Sequence, residues 1–190
     1  MTVPSLWRLT SYAWILLWVF WLIGASRAKR TVEKESLWIR LLHVLVCCIG
    51  FFLLLSRNLH IGLLNDRFVP DERGIREVGV LITWIGVAFA IWARVHIGKN
   101  WSGLVTFKQD HQLICTGPYR WVRHPIYTGL LLAVLGTALV LGEWRGIAGF
   151  VLLVVAHILK AQREEALMSR HFGSVYEDYR RKTGFLVPGI

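Results

Sequence analysis

The chain has 190 residues, of which 55% are hydrophobic and 18% are charged, and its formal net charge is +10. Soluble domains average about 45–50% apolar and about 25% charged residues, so the composition excludes an ordinary water-soluble domain and favours lipid as the solvent. A basic chain can also bind nucleic acid, but the placement of the lysines and arginines described below favours membrane orientation as the reason for the charge.

Five uncharged runs predict membrane helices. They lie between Arg8 and Arg27, Arg40 and Arg57, Glu77 and Arg94, Arg123 and Glu143, and Arg145 and Lys160, and they contain 18, 16, 16, 19 and 14 residues. A helix that crosses the hydrocarbon core needs about 20 mostly apolar residues, roughly 17–25, and flanking Arg and Trp side chains can reach the interface. The first four runs meet this requirement, and the fifth falls short. We expect an all-α, polytopic membrane protein with about five transmembrane helices.

The first half of the chain, residues 1–97, reads as three transmembrane helices joined by polar connectors at 27–36 and 57–77. The first run and its N-terminal flank have tryptophans at 7, 14, 18 and 21 and no small-residue cleavage pattern before Arg27, so we interpret this run as a retained helix rather than a signal peptide. Arg94 and His96 close the third helix, where we expect them to extend towards the interface. This half has no chemical signature, and we assign it to the core and substrate side.

The basic residues predict an orientation. Fourteen Lys and Arg residues fall in 26–36, 98–125 and 160–190, against six on the opposite side of the five predicted spans. The positive-inside rule then places the N-terminus outside and the C-terminus in the cytoplasm. Anionic headgroups, rather than nucleic acid, are the expected partner of this charge.

The second half, residues 98–190, combines an inward loop, a helical hairpin and a polar tail. The loop at 98–125 is punctuated by glycine and proline and includes the strand-like stretch VTFK. A connector as short as GEWRG at 142–146 requires the two flanking helices to be antiparallel. The last helix is expected to continue beyond Lys160 and to end at Gly173.

The first candidate for chemistry is the tripeptide Arg123-His124-Pro125. Proline is favoured at the first position of a helix, where its missing N–H is not needed. His124 therefore stands at a helix N-terminus, which favours a negatively charged ligand. Arg123 is either an interfacial anchor or a substrate-binding residue.

The second candidate is the acidic pair Glu164-Glu165. The predicted hairpin returns this pair to the membrane face on which His124 lies. The pair is either a solvated helix face, with Lys160 and Glu164 as an ordinary i,i+4 pair, or a site for a cationic or hydroxyl-rich ligand.

Two further stretches have weaker signals. The sequence DHQLICTGPY at 110–119 suits a loop that packs back on the helices or forms a wall for a flat ring. Tyr176 and Tyr179, followed by two arginines, are typical of interfacial anchors.

Several classes of site are not predicted. No two glycines are separated by a single residue, so neither a Rossmann fingerprint nor a phosphate-binding loop is present. The three cysteines have no spacing that indicates a metal site or a disulfide framework. We therefore expect no metal.

Taken together, GPYRWVRHPIYTG, the hairpin, and REEALMSRHFGSVYEDYRRKTGFLVP resemble the integral-membrane methyltransferases, the group that contains isoprenylcysteine carboxyl methyltransferase and the phospholipid methyltransferases. The shared pattern is G-x-Y-x-x-x-R-H-P-x-Y-x-G, then an acidic pair about 35 residues later, then F-G-x-x-Y-x-x-Y. The resemblance covers about residues 98–190.

This resemblance implies S-adenosyl-L-methionine as the cofactor. By matching position, cofactor contacts fall on Leu104, His111, Gln112, Leu113, Ile114, Tyr119, His124, Pro125, Ile126, Tyr127 and Glu164. The catalytic residues implied are Lys160, Glu164 and Glu165, and Lys160 and Arg123 are implied to bind substrate. Lys160 stands where the prenylcysteine branch has an arginine, so the charge is kept and the bidentate fork is lost.

The resemblance further implies methyl transfer to a lipophilic acceptor in the membrane, foremost the carboxylate of an isoprenylcysteine-like molecule. An ionised carboxylate needs no general base, whereas an amine or a thiol does. The alternatives are a phospholipid, amine or thiol methyltransferase, an NADPH-dependent enzyme like the membrane sterol reductases, and a non-enzymatic membrane protein. The sequence leaves the oligomeric state open.

Overall fold

The computed structural model describes residues 3–25, 31–34, 36–56, 59–98, 101, 106–108 and 113–189. In chain order the helices and strands are α1 (Val3–Ala25), β1 (Thr31–Lys34), α2 (Leu37–Leu55), α3 (Arg73–Ile97), β2 (Thr106–Lys108), α4 (Pro125–Leu141), α5 (Trp144–Phe172) and α6 (Ser174–Lys182). Short 3-10 turns at Gly62–Asn65 and Gly117–Arg120 precede α3 and α4. The protein is predominantly helical, as predicted. The antiparallel pair of β1 and β2 confirms the strand expected in VTFK, and the sequence did not predict its partner β1.

Four helices in the described part of the chain are long and apolar enough to cross a membrane, namely α1, α2, α3 and α5. The expectation that the fifth run is too short is wrong, because it forms the longer helix α5, and the fourth run forms the shorter apolar helix α4. Helix α4 has 17 residues, about 25 Å at 1.5 Å per residue, because Pro125 begins it and Gly142, with φ of 73°, ends it. Helix α5 has 29 residues, because it continues through the charged residues after Lys160 and ends at Phe172.

Small residues bring α3 and α4 into close contact along most of their length. A Cβ atom added to Gly86 would lie 2.5 Å from the Gly129 carbonyl oxygen, and one added to Gly136 would lie 2.5 Å from the Gly79 carbonyl oxygen. Glycine and alanine at such spacing let membrane helices approach closely. Helix α1 is fixed to this pair by the Trp14 indole, which donates a hydrogen bond of 2.9 Å to the Thr137 hydroxyl.

The expectation that Arg94 extends to the interface is wrong, whereas His96 is exposed. Arg94 is only 7% exposed, and its guanidinium donates to the carbonyl oxygens of Gly24 and Gly98 at 3.0 Å. Carbonyls in the last turn of a helix have no partner within the helix, so this arginine satisfies two of them at the ends of α1 and α3. The His96 ring lies 2.9 Å from the Thr116 hydroxyl, on the loop that precedes α4.

Arg145 likewise binds helix-terminal carbonyls, at the opposite end of the molecule. Its guanidinium, 2% exposed, contacts Glu143 at 2.6 Å and donates to the carbonyls of Leu53 and Ser56 at the end of α2. Both ends of the helical bundle are therefore held by a buried arginine that bonds helix-terminal carbonyls. These contacts fix the positions of α2 and α5, on which one wall of the candidate site depends.

Candidate active site

The α4–α5 hairpin brings the two sequence candidates together. Pro125 occupies the first turn of α4, and His124 immediately precedes it. Helix α5 returns antiparallel, so Glu164 lies beside the beginning of α4. The Tyr127 hydroxyl donates a hydrogen bond of 2.7 Å to Glu164 Oε1, which confirms that the motif at 117–129 and the acidic pair lie on the same face.

The His124 imidazole lies between the two carboxylates. Its Nδ1 atom is 3.6 Å from Glu164 Oε2, and its Nε2 atom is 3.3 Å from Glu165 Oε1. The ring stacks on Tyr127 with centroids 5.6 Å apart and meets the edge of Phe185 at 5.2 Å. Burial lowers the pKa of His124, but the hydrogen bonds and charges of the two carboxylates outweigh burial and raise it. The site therefore favours an imidazolium between two carboxylates.

Glu165 points towards the C-terminal segment. Its carboxylate accepts a hydrogen bond of 2.5 Å from Arg123 Nε and lies 3.6 Å from Arg180 Nε. Arg123 also donates to the carbonyl oxygens of Arg180 and Thr183. Both side chains of the Arg123–Glu165 pair are about nine-tenths buried.

The C-terminal segment covers the beginning of α4. The backbone N–H groups of Arg123 and His124 donate to the carbonyls of Gly184 and Phe185 at 2.9 and 3.3 Å. The Thr128 hydroxyl donates to the Leu186 carbonyl at 2.7 Å. One edge of the site is therefore formed by residues that follow α6, and it is held through Arg123 and Glu165.

Tyr176 and Tyr179 are buried at 3% and 9% exposure, so the expectation that they are interfacial anchors is wrong. The Tyr179 hydroxyl donates 2.7 Å to the Tyr119 carbonyl, which ties α6 to the loop before α4. Burial raises the pKa of both Tyr119 and Tyr179. The two phenols are therefore neutral near pH 7 and act through packing and hydrogen bonds.

The loop before α4 packs closely on α3. Gly117 has φ of 59°, a conformation that glycine adopts readily, and a Cβ atom there would lie 2.6 Å from the His96 ring. Leu113 and Ile114 are half-buried, and Ile114 packs against the cluster of Ala93, Tyr119 and Ile126. The described part of 110–119 therefore packs back on the helices, which is one of the two alternatives for this stretch.

Lys160 lies one helical turn before Glu164, on the same side of α5. Its Nζ atom is 5.6 Å from the centroid of the Tyr127 ring. The ring of His157, three residues earlier, also contacts the Tyr127 ring, with centroids 5.1 Å apart. The sequence interpretation did not include His157, although its spacing of three and seven residues from Lys160 and Glu164 places all three on one helical face.

The structure thus assembles most of the predicted site residues. The predicted residues that it places around the beginning of α4 are Leu113, Ile114, Tyr119, Arg123, His124, Pro125, Ile126, Tyr127, Lys160, Glu164 and Glu165. Pro125 and Ile126 are buried, so they contribute to the site through packing. The predictions for Leu104, His111 and Gln112 lie outside the described residues. In the described ranges no group of three or more His, Cys, Asp or Glu side chains has a metal-binding arrangement.

The sequence around this site is similar to that of known proteins. The sequence profile of the phospholipid methyltransferase family matches residues 75–175, which include α3, the loop, the hairpin and the acidic pair. The chain is 36% identical over 103 residues to protein-S-isoprenylcysteine O-methyltransferase of Schizosaccharomyces pombe, covering 52% of this chain and 43% of that protein. It is 27% identical over 172 residues to a probable protein-S-isoprenylcysteine O-methyltransferase of Oryza sativa, covering 89% and 87%.

A solved structure shares the fold. The eukaryotic intramembrane Ras methyltransferase ICMT aligns with a TM-score of 0.53 and 23% identity, over 82% of this chain and 54% of that one. The chain therefore spans about half the length of that protein and of the fission yeast relative.

Proposed function

The chain belongs to the phospholipid methyltransferase family, and on that premise we propose that it transfers a methyl group from S-adenosyl-L-methionine to the carboxylate of an isoprenylcysteine-like acceptor in the membrane. The observation that carries this proposal is the cluster of His124, Tyr127 and Glu164 at the inner end of the α4–α5 hairpin. The names of the Schizosaccharomyces pombe and Oryza sativa relatives support the acceptor class.

The residues present fit the donor. Glu164 is a partly buried carboxylate that accepts a hydrogen bond from Tyr127 and interacts with His124. A carboxylate has room for about four hydrogen bonds, so Glu164 retains capacity for the ammonium or ribose hydroxyls of the donor. Leu113 and Ile114 offer a half-buried apolar surface for its adenine.

S-adenosyl-L-methionine, held through Glu164, would supply an electrophilic sulfonium methyl for transfer to the acceptor carboxylate, which would give a methyl ester and S-adenosylhomocysteine. The carboxylate is ionised near pH 7, so no residue of the chain has to remove a proton. The task of the protein is then to align donor and acceptor and to exclude water. We assign donor binding to Glu164 and acceptor binding to Lys160.

Arg123 and Glu165 enter the proposal as residues that shape the site. Their buried pair holds the segment after α6 against the beginning of α4. We retain a catalytic role for Glu165 and substrate binding by Arg123, since about a tenth of each side chain is exposed. Residues 98–190 would thus form the catalytic region, and residues 1–97 the core and acceptor side.

The protein is an integral membrane protein, and we propose that the site faces the cytoplasm, with the N-terminus outside. The support is the distribution of Lys and Arg, fourteen on the side of the site and six on the other.

The test uses the purified protein in lipid nanodiscs. S-adenosylhomocysteine should raise the Tm, NADPH should not, and label should pass from methyl-labelled S-adenosyl-L-methionine to N-acetyl-S-farnesyl-L-cysteine. Transfer to phosphatidylethanolamine instead would identify an amine methyltransferase. A Tm raised by NADPH alone would identify a reductase, and a folded protein that responds to neither cofactor would contradict both the methyltransferase and the reductase.

A further inference from the structure

The two neighbouring carboxylates of α5 share one histidine but differ in their other cations. His124 Nε2 lies 3.3 Å from Glu165 Oε1, and its Nδ1 lies 3.6 Å from Glu164 Oε2. Glu165 has two further cations, because Arg123 Nε bonds Oε1 at 2.5 Å and Arg180 Nε lies 3.6 Å from Oε2. Glu164 has no arginine within ion-pair distance in the described part of the chain. His124 is therefore the charged group in contact with Glu164.

The charge that Glu164 offers to a ligand depends on His124. A guanidinium keeps its charge at every physiological pH, so the arginines balance Glu165 permanently. An imidazole gains and loses its proton between about pH 5 and 8, so the balance at Glu164 changes with the state of His124. Burial lowers the pKa of His124, and the two carboxylates raise it above the ordinary value, which populates the imidazolium near neutral pH.

The other groups around His124 do not change charge in this way. In the described ranges, the charged or titratable groups around His124 and its two carboxylates are Tyr119, Arg123, Tyr127, Lys160, Glu164, Glu165, Tyr176 and Arg180. Burial raises the pKa of Tyr119 and Tyr176, so both phenols are neutral near pH 7. The carboxylates are ionised because each has a cationic partner.

A second histidine lies near the site without a carboxylate partner. The His157 ring contacts the Tyr127 ring, and its Nδ1 atom lies 2.7 Å from the Leu153 carbonyl oxygen, to which it donates. His157 has no ion pair with a carboxylate among the residues that the structure describes. A cation placed on Glu164 therefore acts first on the proton of His124.

The donor and its product differ in charge at one atom. S-adenosyl-L-methionine has a sulfonium, whereas S-adenosylhomocysteine has a neutral thioether. Two like charges about 10 Å apart, at an effective dielectric constant of about 20, change an affinity roughly tenfold. Coupling between two sites is reciprocal, so a cation that weakens the hold of His124 on its proton is itself bound less well when that proton is present.

We propose that His124 makes the site distinguish the methyl donor from its demethylated product by charge, so that the neutral imidazole favours the donor and the imidazolium favours the product. The inference rests on the proposed function. On donor binding the His124 proton passes to solvent, and His124 takes a proton from solvent again once methyl transfer has removed the sulfonium charge. Inhibition by the product therefore strengthens as the pH falls.

The test measures binding without an acceptor, so no turnover occurs. Titration calorimetry of the protein in nanodiscs gives Kd for both ligands from pH 6 to pH 8.5, and buffers of different ionisation enthalpy give the protons released. We expect the ratio of Kd for S-adenosylhomocysteine to Kd for S-adenosyl-L-methionine to rise about tenfold over this range. Donor binding should also release a larger fraction of a proton than product binding does.

Histidine variants locate the responsible group. His124→Gln, or His124→Asn if the first variant does not fold, should reduce the change in the ratio to about twofold or less. His157→Gln is the matched control, a half-turn from Lys160 in the same site, and should keep the wild-type change. The amino group of the ligand titrates alike with every variant, so the difference between variants belongs to the protein.

A ratio that is independent of pH in wild type would overturn the inference without any variant. A wild-type change that persists in a folded His124 variant would also overturn it. If the ratio changes through His124 but no methyl group is transferred to any acceptor, the proposed function fails while the discrimination by charge stands. If methyl transfer occurs and the ratio is constant, only the inference about His124 fails.

Discussion

The Tyr127 hydroxyl donates a hydrogen bond of 2.7 Å to Glu164 Oε1 across the α4–α5 hairpin. This bond joins the two parts of the sequence pattern that are 37 residues apart in the chain. It also orients Glu164 towards His124 and Lys160, whereas the adjacent Glu165 turns towards Arg123 and the C-terminal segment. Two neighbouring acids therefore have different surroundings, and different consequences follow when each is removed.

Glu164→Ala should abolish donor binding while leaving the protein folded. A ligand at about 100 times its Kd stabilises a protein by about 2.7 kcal/mol, so S-adenosylhomocysteine should raise the Tm of wild type clearly and that of the variant not at all. The control is Glu77→Ala, which removes an exposed carboxylate paired with Arg73. Normal affinity of the Glu164 variant for S-adenosylhomocysteine would contradict the assignment of Glu164 to the donor.

Lys160→Ala should weaken turnover of the acceptor while donor affinity stays near that of wild type. Losing the cation that faces the acceptor should lower kcat/KM for N-acetyl-S-farnesyl-L-cysteine about tenfold or more, which corresponds to at least about 1.4 kcal/mol. Lys160→Arg keeps the charge and should retain most activity. A loss of donor affinity in Lys160→Ala would instead move Lys160 into the donor site.

Glu165→Ala should destabilise the fold. Removing one partner of a buried ion pair leaves the other charge unpaired and costs about 3 kcal/mol or more, and here it would leave Arg123 buried beside α6. We expect a lower Tm and faster proteolysis after residue 172. Asp178→Ala removes the partner of Arg181 in an exposed pair and should change stability by less than about 1 kcal/mol. Equal stability of the two variants would contradict a structural role for Glu165.

Gly86→Ala should force α3 and α4 apart. The added Cβ atom would lie 2.5 Å from the backbone carbonyl of Gly129, and backbone on both sides cannot move as a side chain can. Overpacking of this kind typically costs about 1–3 kcal/mol. At Gly74, in the same helix, an added Cβ atom meets nothing within 4 Å, so Gly74→Ala should leave the Tm unchanged or raise it slightly. A Gly86 variant as stable as the Gly74 variant would show that the close helix contact is absent.

The His124 imidazole should make stability depend on pH. Glu164 and Glu165 face it from α5, with Arg123 beside it, and the carboxylates raise its pKa above the ordinary value. A raised folded-state pKa contributes stability that is fully present below about pH 6.5 and is lost as the pH rises through the folded-state pKa. The Tm difference between wild type and His124→Gln should therefore be largest at low pH and shrink as the pH rises. A difference that grows with pH would mean that the buried ring is neutral.

Much of the fold was predictable because it depends on local composition. Apolar runs bounded by charges determine helices of membrane length, and a five-residue connector such as 142–146 leaves an antiparallel hairpin as the only outcome. The resemblance drawn from the motifs at 117–129 and 164–165 is confirmed by the family match over residues 75–175. The error over which of α4 and α5 is the longer arose because counting uncharged residues ignores a helix that continues through charged ones.

The sequence by itself determined which residues could take part in binding or catalysis. Through the predicted hairpin, it also determined that His124 and the acidic pair share one membrane face. Only the tertiary structure decided the surroundings of each acid, because neighbouring positions on a helix point about 100° apart and the partners of Glu165 come from the loop before α4 and from α6. It also decided that Arg94 and Arg145 are buried, since helix-terminal carbonyls become partners for arginine only where helices end side by side. His43 and His157 likewise meet only because Gly50 and Gly149 let α2 and α5 touch, and no local pattern in the sequence records that contact.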